Sequence, residues 1–235
     1  MKKVTGQSDR SDYMVLSSKD MIYIYEIGGA SNPAQIDISG SENHQVLGDR
    51  ILVYYSDFLD VYDLSGKQLN GNNTIYIKDS TIKPHQNRIY VFGETKDVDI
   101  FDWNGHTVND IDTNPWVNAD VVGNHIFIAY TNDVVTYDLD GSNEIKTNVD
   151  VDQPEFLEDK FINLYGSGGT IYDWNGEKWE PAYFDSPYSD SLVLVDDYII
   201  GVSSNKLNLF DLNGASVGDE LDLYTEFKKE NVLFR

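Results

Sequence analysis

One short phrase occurs six times along the chain: an aromatic residue, an acidic residue, an apolar residue, a variable residue and a glycine. It reads YEIGG at residues 25–29, YDLSG at 62–66, FDWNG at 101–105, YDLDG at 137–141, YDWNG at 172–176 and FDLNG at 210–214. The closing glycines are 37, 39, 36, 35 and 38 residues apart. A period of that length means that one supersecondary unit is copied along the chain, each copy burying its apolar face against the next. Any fold proposed for this sequence has to repeat six times.

Each copy reads as short strands separated by turn signals. In the second, ILVYY (residues 51–55) is a strand, Ser56 and Asp57 turn the chain, and residues 59–64 form the next strand, carrying the phrase. Ser65 and Gly66 turn it again, glycine supplying the positive φ that tight hairpins need. A weaker strand follows near residues 74–77, and Gln45, Val46 and Leu47 make one before the turn at Gly48 and Asp49. The fourth copy gives strands at residues 117–122, 125–130, 134–139 and 143–147, and the sixth gives 192–195, 198–202, 207–212 and one near Leu221. Four strands per unit with no helical periodicity predict a β-propeller. A β-helix has a shorter period, and an immunoglobulin-like sandwich lacks a repeated phrase.

The ends add to this expectation. Residues 1–10 offer only Met1 and Val4 as larger apolar residues and read as a polar lead-in, whereas Tyr13 opens an acceptable second strand. After the sixth copy an extra strand remains, Asn231-Val232-Leu233-Phe234. The expected fold is therefore one domain over residues 1–235: an all-β, six-bladed β-propeller of four-stranded antiparallel blades. Its first blade would be closed by the C-terminal strand within residues 229–235, since an open ring exposes sheet edges.

The endings VYDLSG (61–66) and IFDWNG (100–105) resemble the aromatic–Asp–apolar ending of WD40 blades, although the Gly-His pair of those repeats is missing. The elements Gly48-Asp49-Arg50-Ile51 and Gly123-Asn124-His125-Ile126, each followed by an aromatic–Asp strand, more closely resemble bacterial LVIVD-type and PQQ-like propeller repeats. The resemblance spans nearly the whole chain and implies the propeller fold. It brings no quinone-binding set and no active site that maps residue by residue. Propellers of this kind are mostly binding platforms, which is analogy at the level of fold.

Composition narrows the function. With 40 acidic against 17 basic residues the formal net charge is −23, which repels nucleic-acid phosphate and anionic lipid. Tyrosines number 16 and cysteines none, so the core is aromatic and both disulfides and thiolate metal sites are excluded. No run approaches 18 apolar residues, and MKKVTGQSDRSD has no apolar stretch after its basic start, so neither a membrane span nor a secretory signal is expected. A cytoplasmic location is the expectation, with a virus particle as the alternative. Asn72-Asn73-Thr74 matches a glycosylation sequon and reads as a chance match in an Asn-rich turn.

The repeated acidic residue (Glu26, Asp63, Asp102, Asp138, Asp173, Asp211) precedes a tight turn in every copy, where a short carboxylate accepts backbone N–H bonds. One copy per blade suits construction rather than a metal ring. Residues 138–144 (DLDGSNE) fall short of a calcium loop, lacking the distal glutamate. His44, His85, His106 and His125 have no metal-ligand spacing, and no nucleophile elbow, HExxH or P-loop is present. The glycine-rich run 166–169 has no Lys and no helix after it, so it reads as a turn. Trp103 and Trp174 take the apolar position of the phrase and are expected between blades.

Functional variety is expected on one rim, where the loops joining strands two and three meet the blade-to-blade loops. Trp116, Tyr188, Asp97 and Asp133 are the candidate binding residues there, with Asp57 and Glu94 adding acidity. No cofactor and no metal are expected. The expected function is a non-enzymatic binding scaffold whose partner is another protein, with no nucleic-acid or membrane partner; oligomeric state is not legible. Alternatives are a decoration protein of a virus particle, a carbohydrate-binding lectin, and a metal-dependent lactonase or lyase.

Overall fold

The computed structural model describes residues 13–29, 32–93, 97–113, 116, 118–149, 153–156, 160–165, 168–174, 179–185, 191–195, 198–202, 206–218 and 221–222. Among the described residues every regular element is a strand, and no helix is long and apolar enough to cross a membrane. The strands form six antiparallel sheets in chain order, within two compact units, Met1–Asn114 and Pro115–Arg235.

The first unit holds three sheets. Sheet one contains β1 (Tyr13–Ser17), β2 (Met21–Glu26) and β3 (Ala34–Asp37). Sheet two contains β4 (Asn43–Leu47), β5 (Arg50–Tyr54), β6 (Phe58–Asp63) and β7 (Ile75–Tyr76), and sheet three β8 (Thr81–His85), β9 (Arg88–Phe92), β10 (Val98–Asp102) and β11 (Thr107–Ile111). The second unit holds sheet four, with β12 (Asn118–Val122), β13 (His125–Ala129), β14 (Asp133–Asp138) and β15 (Ile145–Asn148). Sheet five has β16 (Gln153–Phe156), β17 (Lys160–Tyr165), β18 (Gly168–Trp174) and β19 (Trp179–Asp185), and sheet six β20 (Ser191–Val195), β21 (Tyr198–Val202), β22 (Lys206–Asp211) and β23 (Leu221–Asp222).

In every sheet consecutive strands are hydrogen-bonded neighbours, the order of a meander. The observed strands fall within a residue or two of those read from the repeat, except that β18 already begins at Gly168, inside the run expected to be a turn. Sheet one has three described strands, so β1 has one described neighbour, β2. The lead-in 1–10 and the expected closing strand Asn231–Phe234 lie outside the described residues.

Burial explains why each strand has its composition. The second strands, β5, β9 and β13, are continuous apolar runs buried on both faces: Ile51, Leu52 and Val53; Ile89, Tyr90, Val91 and Phe92; Ile126, Phe127, Ile128 and Ala129. The third strand β6 alternates, with Leu59 and Val61 buried and Asp60 and Tyr62 only partly so, whereas β14 is buried from Val134 to Tyr137. The fourth strands β7, β15 and β23 are short, two to four residues, whereas β19 has seven. The core of each unit lies between successive sheets. Ile22, Ile24 and Ile36 pack on Ile51 and Val53 between sheets one and two. Leu52, Leu59, Val61 and Ile75 pack on Ile89, Val91 and Phe101 between sheets two and three, where Trp103 joins them as its place in the phrase predicts. In the second unit Phe127, Ala129 and Val134 meet Phe161 and Tyr172, whose rings stack at 4.2 Å, and Ile162 and Ile171 meet Ile199 and Phe210. Burying one such side chain contributes about 1.5–3 kcal/mol, so each sheet is held mainly by the next.

Candidate functional site

The two ends of the sheets are built differently. At one end the repeated phrase makes the same turn in sheets two, three, four and six. The amides of Asp63, Asp102, Asp138 and Asp211 donate to the carbonyls of Lys67, His106, Ser142 and Ala215, at 2.9–3.0 Å. Those of Gly66, Gly105, Gly141 and Gly214 donate back to the aspartate carbonyls at 2.8–3.0 Å. The four glycines have φ of 81°, 74°, 78° and 77°, the left-handed position that ends this hairpin turn.

The aspartate side chains complete the turns. Asp63 accepts the amides of Ser65 and Lys67 at 2.8 and 3.1 Å, Asp102 those of Asn104 and His106 at 2.8 and 2.9 Å, and Asp211 those of Asn213 and Ala215 at 2.8 and 2.9 Å. Partial burial pulls the Asp63 and Asp102 carboxyls upward, but the bonds they accept outweigh it, and both lie below the ordinary value. Sheet four differs: Asp140 receives the Ser142 amide and Asp138 holds the Asn143 side chain. The register also sets a cation opposite the repeated aspartate in three sheets, Arg50 with Asp63, Arg88 with Asp102, and Lys160 with Asp173, the last two residues forming an ion pair, and sets His125 opposite Asp138 in sheet four. In sheets two, three and six the repeated carboxylate builds the turn, the role its spacing predicts. Among the described residues no group of three or more His, Asp or Glu is placed to hold a metal ion.

At the opposite end the loop between second and third strands clips the connection to the next sheet. The carbonyls of Asp20, Asp57 and Asn132 accept the amides of Ile38, Ile77 and Val149 at 2.9, 3.0 and 3.1 Å, and each donor's side chain is buried. After the clip the chain turns, with Ser41 and Ser80 donating to the carbonyls of Ile38 and Ile77. In the first turn Gly40 has φ 80°, and in the second Asp79 occupies the same position with φ 55°. A carboxylate stands where the equivalent connection uses glycine.

That second connection borders a cleft of about 720 Å³ within the first unit, between sheets two and three. Its walls are Glu42 and Asn43 at the start of β4, Tyr54 to Asp57 after β5, and Ile77 to Ile82 leading into β8. Tyr55 stacks on Phe58 with ring centroids 4.4 Å apart and planes 15° apart. The Tyr54 hydroxyl donates to Gln45 Oε1 at 3.1 Å. Burial raises the pKa of both tyrosines, and at Tyr55 the charges of Asp60 and Asp37 add to it, so both remain neutral phenols. Glu42, Asp57 and Asp79 are exposed, and among the described residues Lys78 is the one cation in the lining.

The residues singled out from sequence are distributed as follows. Asp97 belongs to the first unit, half-buried just before β10, its carbonyl accepting the Gly93 amide at 3.1 Å. Trp116 and Asp133 belong to the second unit. Trp116 is half-buried with its indole nitrogen enclosed. Asp133 opens β14 and is ion-paired with Lys146 at 2.6 Å. Tyr188 and Glu94 lie outside the described residues. Asp57 is the one sequence-named residue that lines the cleft. Glu42, Tyr54, Tyr55 and Asp79 were missed; the aligned pair Gly40 and Asp79 was the available signal, a charged residue in a glycine position.

No family model matches the sequence, and no curated protein matches it. Solved structures do. Hsv2 of Kluyveromyces lactis, a β-propeller protein, superposes with a TM-score of 0.54 at 13% identity, over 74% of this chain and 60% of that one. The computationally designed protein Ika8 superposes with a TM-score of 0.52 at 10% identity, over 92% of this chain and 73% of that one. This chain therefore spans less than two thirds of the Hsv2 chain it matches. At such identities the likeness concerns the fold alone, and with the sheet order it makes the fold propeller-like and all-β.

Proposed function

We propose that the chain is a non-enzymatic binding scaffold, a single six-bladed β-propeller closed by its C-terminal strand, which takes another protein at the loop end of its sheets. The observation that carries this reading is the contrast between the two ends. One end repeats a single glycine turn, which in sheets two, three and six the aspartate carboxylate holds. The other carries connections that differ in sequence, and at sheets two and three they enclose a cleft with uncommitted polar groups. Variable loops on a rigid frame are where binding residues concentrate. Trp116, Tyr188, Asp97 and Asp133 are proposed contributors to binding.

The test uses a partner protein recovered with the immobilised chain and then purified. A folded variant carrying Trp116→Ala, Tyr188→Ala, Asp97→Ala and Asp133→Ala is expected to bind it at least tenfold more weakly, about 1.4 kcal/mol. Unchanged affinity in that variant, with losses from Asn104→Ala or Asn175→Ala in the repeated turns, would place the site at the opposite end.

A further inference from the structure

We infer that the cleft between sheets two and three receives a lysine- or arginine-bearing extended segment of a partner protein; this names the partner chemistry and rests on the scaffold reading above. Charge is the first argument. Glu42, Asp57 and Asp79 converge on one cleft, and among the described residues none of the three makes an ion pair or a side-chain hydrogen bond. Several carboxylates outside the cleft are committed, as Asp49 is to Arg50, Asp133 to Lys146 and Asp173 to Lys160. Lys78 offsets one of the three, which leaves the cleft negative inside a chain of net charge −23. Such a field draws in cations and raises their encounter rate.

Shape and surface chemistry are the second argument. The volume, about 720 Å³, lies in the range of sites that enclose a ligand group. One wall is Tyr55, held flat by its stack on Phe58, and a guanidinium or ammonium is attracted to such a ring face. Ser56, Ser80 and Thr81 supply hydroxyls for a peptide backbone. The third argument is Asp79 itself. It stands with a left-handed φ of 55° where the equivalent connection uses Gly40, a position aspartate tolerates better than most side chains. Its carboxylate meets no partner among the described residues, which leaves it available to a ligand.

The experiment titrates the full chain with three peptides of equal length: one with alternating arginines, one with alternating glutamates, one uncharged. The arginine peptide is expected to bind. The triple variant Glu42→Gln, Asp57→Asn, Asp79→Asn should weaken it about tenfold, or about 1.4 kcal/mol. A control triple, Asp110→Asn, Asp112→Asn, Glu144→Gln, removes the same charge outside the cleft and should change it by less than about twofold. Asp79→Gly should weaken the peptide while raising the melting temperature, which separates a binding role from a folding one. Equal weakening by the two triples, or no binding of the arginine peptide, overturns the inference. Preference for the uncharged or acidic peptide, lost in the cleft triple, also overturns it while leaving the scaffold reading in place. The scaffold reading fails separately, through the partner-affinity test described with it.

Discussion

At the scale of single residues, a turn glycine answers two requirements at some positions and one at others. Gly28 needs only its positive φ of 88°, because a Cβ there would meet nothing within 4 Å. Gly105 has φ 74°, and a Cβ would lie 2.7 Å from the Asn73 carbonyl oxygen and 2.9 Å from Asn70 Cβ. Sheet three's turn thus rests directly on the long loop of sheet two, where the Asn73 side chain donates to the Asn104 carbonyl at 2.9 Å. Gly28→Ala is expected to cost about 1 kcal/mol from backbone strain, and Gly105→Ala about 3 kcal/mol because backbone must also move. Urea unfolding of both variants measures the difference; equal losses would mean that the contact at Gly105 relaxes freely. The turn aspartates differ in the same way. Asp102→Ala removes two backbone bonds and is expected to cost about 1–2 kcal/mol. Asp138 holds only the exposed Asn143 amide, so Asp138→Ala should cost less than about 1 kcal/mol. Thermal melts check the order, and peptide or partner affinity should be unchanged in both folded variants.

At the scale of elements, one strand pair works against itself. Asp99 on β10 lies directly opposite Asp110 on β11. Burial, then the charges of Asp110 and Asp97, push the Asp99 carboxyl above its ordinary value of 3.8. A carboxyl whose folded pKa is raised destabilises the fold while ionised, and that penalty disappears as pH falls through the folded pKa. The capping carboxyls run the other way. Asp63, Asp102 and Asp211 are lowered in the fold, so their contribution is present above 3.8 and lost as pH falls through their folded values. The melting temperature should therefore rise as acidification protonates Asp99 and fall once the pH drops below 3.8 and through the folded values of the capping carboxyls. Asp99→Asn should stabilise by about 0.5 kcal/mol at pH 7, a figure kept small because the group is partly solvated. The gain should shrink as the pH approaches 4. A gain that is flat across this range would point to packing and not to charge.

At the scale of the whole molecule, the open question is what covers the β1 edge of sheet one. Among the described residues β1 pairs only with β2, whereas the other five sheets each have four strands. The segment Asn231-Val232-Leu233-Phe234 is apolar at its last three residues and follows the sixth copy of the repeat. If it supplies the proposed closing strand, deleting residues 229–235 removes a ladder of backbone bonds and the burial of two apolar side chains, a loss of several kcal/mol. Differential scanning calorimetry of the truncated chain decides the matter; a melt identical to that of the full chain would rule the closing strand out.

Much of the fold was legible before any coordinates, because it is made of local signals written six times. The glycines of four phrases, Gly66, Gly105, Gly141 and Gly214, mark turns that glycine adopts cheaply, and apolar runs such as 51–55 and 125–130 mark strands buried on both faces. Trp103 was placed between sheets from its position in the phrase alone. The candidate site was far less legible. Of the residues that line the cleft only Asp57 was noticed, because Glu42, Tyr54 and Asp79 belong to three segments that the sheets bring together, and a cleft has no sequence period. Nor does the order of residues say which carboxylates have partners. Asp133 and Asp57 look alike as loop acids; cross-strand register gives the first a lysine and leaves the second exposed in the cleft. Local conformational preference, repeated, determines the sheets; pairing and proximity between distant segments determine which charges remain for a ligand, and only the tertiary structure decides those.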